Sequence, residues 1–230
     1  TSTQLQALST TQLEGLSAEQ MNGLSSAQMA ALSVAQFASL DPAKLAALGT
    51  AQIAGLTVAQ VTALSTAQAA AMEAADVAVL GTAQVRALST GAMAAFNADQ
   101  IGALTSAQTA ALSTAQLAAI SVDDMSGLST SALAALSSVQ MQGLSSAQLA
   151  ALSADQLAHL GTAQVAALAT GQLATMTPDQ INNMSTAQFA HLTAAQANEQ
   201  RGLYTAQTFE RLSDQGSVRP SSVPMNPANS

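Results

Sequence analysis

Apolar residues recur along this chain at a fixed interval of eight positions. From Leu8 to Leu192, every position divisible by eight holds Leu, Met, Ile or Phe, without insertion or deletion. We number each octad from this residue, and its sixth position, for example Leu117, is the second apolar site. In a continuous helix the apolar stripe would drift by about 80° per octad, and in a strand the two apolar sites would face opposite sides. The pattern therefore predicts one short helix per octad.

The second and fifth positions of the octad predict where each helix begins. The second position is Ser, Thr, Asp or Asn in 20 of 25 octads, and the fifth is Gln in 20 of 25. Ser or Thr followed three residues later by Gln is a capping box, which satisfies two otherwise unpaired backbone N–H groups. Pro42 and Pro178 occupy the first helical position, where proline costs no hydrogen bond. Among the predicted capping residues are Ser9, Gln12, Ser113, Gln116, Ser145 and Gln148.

Helices of about six residues are unstable alone in water, so they are expected to stack. The links of one or two residues are too short for a hairpin, so consecutive helices should turn a corner. The sequence thus predicts an all-α polygonal solenoid of short capped helices, with three helices per coil or, alternatively, four. Thr, Ala and Gln are expected outside, with neutral glutamine amides bonding along stacked rows. The predicted core includes Leu8, Leu16, Leu112, Leu117, Leu144 and Leu149.

The octad register divides the chain into three predicted segments. Residues 1–198 are expected to form the solenoid, and the register then fails. Residues 199–212 are predicted to form a C-terminal capping helix, because a terminal coil needs a polar cover. Residues 213–230 are rich in Ser, Pro and Asn and are predicted to be a flexible tail. The residues assigned to the cap, or to assembly through it, are Arg201, Tyr204, Phe209 and Arg211.

Composition narrows the class of protein. Only 8% of the residues are charged and 2% are aromatic, and the net charge is −8. The five basic residues are scattered, which argues against nucleic acid and anionic membrane surfaces as partners. The apolar runs are too short for membrane insertion, and without cysteine no disulfide or cysteine–metal site is expected. The N-terminal end has no comparable cap, and Thr1 is expected to begin a processed protein or a fragment.

Candidate chemistry is sparse, and helix structure accounts for most of it. His159 and His191 lie four octads apart, and with four octads per coil they would be neighbours that could form a weak metal site. The favoured interpretation is that both are surface substitutions at a small-residue position, so no metal site is predicted. A third-position Thr row is a candidate surface for ice or a crystalline ligand, although the favoured interpretation is that these threonines are polar helix-start residues. We predict no enzymatic activity, no cofactor and no small-molecule substrate, because no nucleophile–base set or phosphate-binding loop is present. Acidic residues near the helix starts, where the helix dipole favours them, are Asp76, Asp99, Asp123, Asp124, Asp155 and Asp179.

The units LSTAQ and LGTAQ resemble the octapeptide Leu-Ser/Thr-x-x-Gln repeats of large, low-complexity bacterial proteins over residues 1–198. That resemblance implies a secreted, surface-exposed or adhesin-like protein. We therefore predict an extracellular structural protein that forms a fibre, stalk or surface element by head-to-tail stacking with copies of itself. One alternative is a binding or adhesion module whose long face recognises a partner protein, a glycan or ice. A second alternative is an intracellular scaffold or secreted effector.

Overall fold

The computed structural model describes residues 1–193 and Gln196, and these residues form a succession of very short helices. One of them, η1, is a 3-10 helix, and no strand occurs among the residues described. The prediction of an all-α solenoid of short capped helices is confirmed. The helices are α1 Ser2–Gln6, α2 Thr10–Glu14, α3 Ala18–Asn22, α4 Ser26–Ala31, α5 Val34–Ala38, α6 Pro42–Ala46, α7 Thr50–Ala54, α8 Val58–Thr62, α9 Thr66–Ala71, α10 Ala74–Val79, α11 Thr82–Ala87, α12 Thr90–Ala94, α13 Ala98–Gly102, α14 Ser106–Ala111, α15 Thr114–Ala119, η1 Asp123–Gly127, α16 Thr130–Ala134, α17 Ser138–Gly143, α18 Ser146–Ala150, α19 Ala154–Ala158, α20 Thr162–Ala167, α21 Thr170–Leu173, α22 Pro178–Asn182 and α23 Thr186–Ala190.

Each octad forms a helix and a corner for local reasons. At the corner between α4 and α5, Leu32 (φ −60°, ψ 137°) and Ser33 (φ −63°, ψ 157°) are both extended. The Ser33 hydroxyl then accepts from the backbone N–H of Gln36, which starts the next helix. The N–H of Leu32 donates back to the carbonyl of Met29 at 3.2 Å, which closes the helix before it. Two residues of extended chain between two such closures leave no room for a reversal.

The helices stack by threes along the chain. Each helix packs chiefly against the third helix before it and the third helix after it, as α6 packs against α9 and α9 against α12. We call three consecutive helices a coil, so that α1–α3 form the first coil. Stacked helices are therefore related by 24 residues of sequence, and residues at equivalent octad positions follow one another up each face.

The core contains the first and sixth positions of the octad, and the fifth position joins them. From Leu32 to Met184 every first-position residue is buried, and the sixth-position residues from Leu13 to Ile181 are buried too. The glutamines were expected on the exterior, and this expectation is wrong above the first coils. From Gln36 onward the fifth-position glutamines are buried at 0–7% exposure, because each lies against a corner of the coil below it.

One octad departs from the common helix. Residues 123–127 form the 3-10 helix η1, which is more tightly wound than an α-helix. Gly127 explains how closely it packs, because a Cβ there would lie 2.2 Å from the carbonyl oxygen of Ala98 in α13. The stacked partner also ends in a glycine, and a Cβ on Gly102 would lie 3.0 Å from the Gly127 carbonyl oxygen.

None of the described helices has the length and apolar character that a membrane crossing requires. The predicted capping helix at 199–212 and the predicted tail at 213–230 lie outside the described residues, as do Arg201, Tyr204, Phe209 and Arg211.

Candidate functional site

The most extensive polar arrangement among the described residues is the joint that the buried fifth-position glutamines make between coils. Gln116 is representative: its Oε1 accepts from the N–H of Ser113 at 2.9 Å, which completes the capping box of α15. Its Nε2 donates to the carbonyl oxygens of Val85 and Leu88, at 2.9 and 2.8 Å. The Val85 carbonyl lies in the last turn of α11 and also accepts from the Leu88 N–H at 3.2 Å, and the Leu88 carbonyl lies at the corner that follows the helix. Carbonyls at a helix end need partners from outside the helix. One side chain thus satisfies the start of one helix and the end of another.

This joint, which we call the glutamine joint, recurs with little variation. Within residues 1–193 and Gln196, sixteen buried glutamines make it, with Nε2 at 2.6–3.0 Å from the carbonyl oxygen 28 residues earlier in the sequence. Their Oε1 atoms lie 2.5–3.0 Å from the N-cap nitrogen of their own helix. Each Nε2 also donates to a carbonyl 30 or 31 residues earlier.

The joint explains why the fifth position is Gln rather than Glu. A primary amide offers one acceptor and two N–H donors, and the joint supplies one N–H and two carbonyl oxygens. A carboxylate would satisfy the N-cap and then face two carbonyl oxygens without a donor. The amides were expected to bond to each other along rows, but the structure directs them to backbone carbonyls instead.

Five octads lack the fifth-position glutamine, and their side chains at this position make other contacts or none. Lys44 donates from Nζ to the carbonyl oxygen of Glu14 and so keeps a donor at that joint. Asp124 in η1 accepts from the Ser121 hydroxyl at 2.5 Å. Ala92 and Ala132 have no polar side chain, and only the Ser89 and Ser129 hydroxyl caps remain at those helices.

Asp76 is the fifth exception and is a buried carboxyl. The residue is 2% exposed, and Oδ2 accepts from the N–H of Glu73 at 3.1 Å, in the manner of a capping glutamine. Burial raises the pKa of the Asp76 carboxyl above its ordinary value of 3.8, and the charge of Glu73 acts in the same direction. The hydrogen bond from the Glu73 N–H lowers the pKa of Asp76 and opposes the burial.

In the first coil the glutamines make only the capping part of the joint. Gln12 and Gln20 accept from their own N-caps, Ser9 and Ser17, at 2.9 and 2.8 Å. Both glutamines are exposed, since no coil of the described chain lies below them. The corner residues of this coil are only half-buried, namely Leu8, Leu16 and Leu24.

The structure places the other residues predicted from the sequence as follows. The hydroxyls of Ser9, Ser113 and Ser145 accept from the N–H groups of Gln12, Gln116 and Gln148 at 3.1–3.2 Å. Of the predicted core residues, Leu8 and Leu16 are only half-buried. The other four are buried, namely Leu112, Leu117, Leu144 and Leu149. Sequence reasoning found the capping role of glutamine and missed its second role, although the strong preference for Gln over Glu was a signal of it.

The histidines do not form a pair. His159 and His191 end α19 and α23, and each Nδ1 donates to a carbonyl oxygen of its own helix at 2.8 Å. The helices stack by threes, so these two, four octads apart, do not pack on one another. Within residues 1–193 and Gln196, no group of three or more His, Asp or Glu is arranged to hold a metal ion.

Short capped helices stacked through one repeated joint define a short-helix repeat solenoid. The ALTTAQ repeat model matches this chain six times, over residues 1–34, 35–74, 69–106, 117–154, 138–170 and 165–199, and the chain belongs to that repeat family. The comparisons with curated proteins and with solved structures gave no match. The match confirms that the chain is a repeat protein, and a bacterial, surface-exposed origin stays a prediction.

Proposed function

We propose that this chain is a structural rod that serves outside a bacterial cell as a fibre, stalk or surface element, and that rods lengthen by head-to-tail stacking. The observation that carries the proposal is the glutamine joint. Its sixteen copies satisfy the helix ends from within the stack. The same joint can add another coil from any chain that carries the repeat.

The lower face of the first coil supports stacking by a second copy. Gln12 and Gln20 hold their amides in the capping geometry of the interior joints, and their Nε2 groups bind no carbonyl among the described residues. The apolar corners beside them, Leu8 and Leu16, are half-buried, whereas the equivalent interior residues are at most 5% exposed. A coil placed below would supply carbonyl acceptors and cover the leucines together.

The last described coils offer matching acceptors. The corners that end at Met176 and Met184 would receive donors from positions 204 and 212 if the register continued. Those positions hold Tyr and Leu, which cannot make the glutamine joint. In this proposal a second copy supplies the amides, and Arg201, Tyr204, Phe209 and Arg211 belong to the region that meets it.

Negative-stain electron microscopy of the chain across a concentration series tests the proposal. Stacked rods should form filaments, built from units about 65–80 Å long if eight coils stack at about 8–10 Å each. Single rods of that length at every concentration would contradict head-to-tail stacking and would favour a spacer over a fibre. Antibody labelling of intact cells tests the extracellular placement separately.

A matched pair of variants connects filaments to the first coil. The double change Gln12→Glu and Gln20→Glu keeps both capping acceptors and turns two carboxylates toward the incoming carbonyls, so filaments should shorten or disappear. Gln142 is exposed on the side of the rod in α17, so Gln142→Glu should leave the filaments intact. Equal filaments in both variants would show that the first coil is not the contact.

A second function is favoured by one specific arrangement. The stacking of α9, α12 and α15 brings exposed Thr66, Thr90 and Thr114 into one row along a face. Regularly spaced hydroxyls suit a repetitive ligand such as ice or a crystalline glycan. Inhibition of ice recrystallisation that is lost in Thr90→Lys would favour this binding module, and no inhibition would exclude ice as its ligand.

A further inference from the structure

The interface between the coil α7–α9 and the coil α10–α12, which we call the middle seam, combines two structural deficits. Its three fifth-position residues on the upper side are Asp76, Gln84 and Ala92. Only Gln84 makes the glutamine joint, with Nε2 donating to the carbonyl of Leu56 at 2.6 Å. In the next coil, by contrast, Gln100, Gln108 and Gln116 all make it.

The second deficit of the middle seam lies in the core. Four consecutive sixth-position residues on either side of it are small, while Leu, Met, Ile or Phe fills most other octads at this site. All four are fully buried at 0% exposure: Val61, Ala69, Val77 and Val85. A smaller side chain at the centre of a coil removes apolar area from the contact with the coil above or below it.

Another interface shares the first deficit and not the second. The coil of η1, α16 and α17 carries Asp124 and Ala132 in place of two glutamines. Its sixth positions are large, however, and are filled by Met125, Leu133 and Met141. Gly127 also lets η1 approach the backbone of α13 more closely than any other residue would. Within the part of the chain that the structure describes, the two deficits therefore coincide only at the middle seam.

In a linear stack, the stability of each part is set by its contacts with its neighbours. An interior interface with fewer hydrogen bonds and a smaller core can open while the coils on both sides remain folded. We propose that the middle seam is the interior interface that opens first, so that the rod under tension or heat lengthens there, between its third and fourth coils. The use under tension rests on the proposed structural function, whereas the opening itself is a property of the folded chain.

Amide hydrogen exchange of the whole chain at low concentration, read by mass spectrometry, tests the seam without self-assembly. The helices α10–α12 should exchange at least tenfold faster than α18–α20, which lie nearer an end and whose three glutamines all make the joint. Exchange that falls smoothly from both ends to a minimum at the centre would overturn the proposal, since simple fraying gives that profile. Such a result would leave the proposed rod function standing.

Two sets of variants make the test specific: one restores the missing glutamines at the middle seam, and the other removes glutamines from a complete interface. The double change Asp76→Gln and Ala92→Gln should bring the two exchange rates within about threefold, since each new amide supplies the donors that the joint lacks. The control Ala94→Gln adds the same side chain at an exposed position of α12 and should change nothing. The reverse pair Gln148→Ala and Gln164→Ala should speed exchange in α18–α20 at least tenfold. Fast exchange in α10–α12 that survives the repair would refute the proposal.

Discussion

The first coil and the interior coils use the same octad in different surroundings. Gln12 and Gln116 both accept from an N-cap serine at 2.9 Å, so their local capping is equivalent. Only Gln116 has a coil beneath it, and its amide donates to Val85 and Leu88. The comparison separates the two roles of one residue type: the capping role belongs to the octad, and the joining role belongs to the stack.

The comparison also holds for the leucines. Leu16 and Leu112 occupy the same octad position, and Leu112 is 4% exposed while Leu16 is only half-buried. A single octad therefore cannot tell how much a residue contributes to stability. Its place in the stack decides that, and matched substitutions in the two regions measure the difference.

Gln→Glu substitution should give the largest contrast. Gln116→Glu places a buried carboxylate against two carbonyl oxygens and should destabilise the protein by about 3–5 kcal/mol. Gln12→Glu keeps its capping acceptor in the exposed first turn, where the helix dipole favours a negative charge, and should change stability by less than about 0.5 kcal/mol. Urea unfolding of both variants at pH 7 measures this difference. Equal losses would mean that the buried joint adds nothing to the cap.

Leu→Ala substitution should give the next contrast. Leu112→Ala removes a buried side chain from the core and should cost about 2–5 kcal/mol. Leu16→Ala should cost clearly less, about 1 kcal/mol, because part of its side chain already meets water. Thermal unfolding followed by circular dichroism, at a concentration where the chain is monomeric, compares the two. A loss at Leu16 as large as that at Leu112 would show that another coil covers the first one in solution.

The contribution of Asp76 to the stability of the folded protein should depend on pH. Because burial raises the pKa of its carboxyl above 3.8, the folded protein holds this proton more tightly than the unfolded chain does. The stability from Asp76 is therefore fully present at pH below 3.8 and is lost as the pH rises through the raised pKa. Asp76→Gln should remove this pH dependence and stabilise the protein at pH 7 by about 1–2 kcal/mol. Urea unfolding between pH 3 and 7 tests the sign, and a variant less stable than the parent at pH 7 would contradict it.

Thr109 should give the smallest effect and one of opposite sign. It occupies a sixth position at 0% exposure, and its Oγ1 has no hydrogen-bond partner within the described part of the chain. Thr109→Val keeps the shape and removes the unpaired hydroxyl, so it should stabilise the protein by about 1 kcal/mol. Thr10→Val, at an exposed position of the first coil, is the matched control and should have no such benefit. The urea midpoints of both variants decide the comparison.

Much of the fold was predictable because its determinants repeat within eight residues. The serine caps, the prolines at first helical positions and the two apolar sites all act over one turn of helix, and they predicted one short helix per octad. The exception at η1 was not predictable, because Asp123 and Asp124 read as ordinary first-turn acids. Its close packing depends on Gly127, which lies against Ala98, 29 residues earlier in the sequence.

The octad alone encodes the repeating unit: a capped helix, its corner and the two residues that face inward. Which atoms each unit contacts depends on how the helices stack. The amide of Gln116 reaches carbonyls 28 and 31 residues away, a pairing that depends on how many helices complete a turn. Capping pairs groups that lie within one octad, so the sequence of the octad is enough to predict it. The joint, the burial of glutamine and the middle seam depend on stacking, in which residues distant in sequence become neighbours.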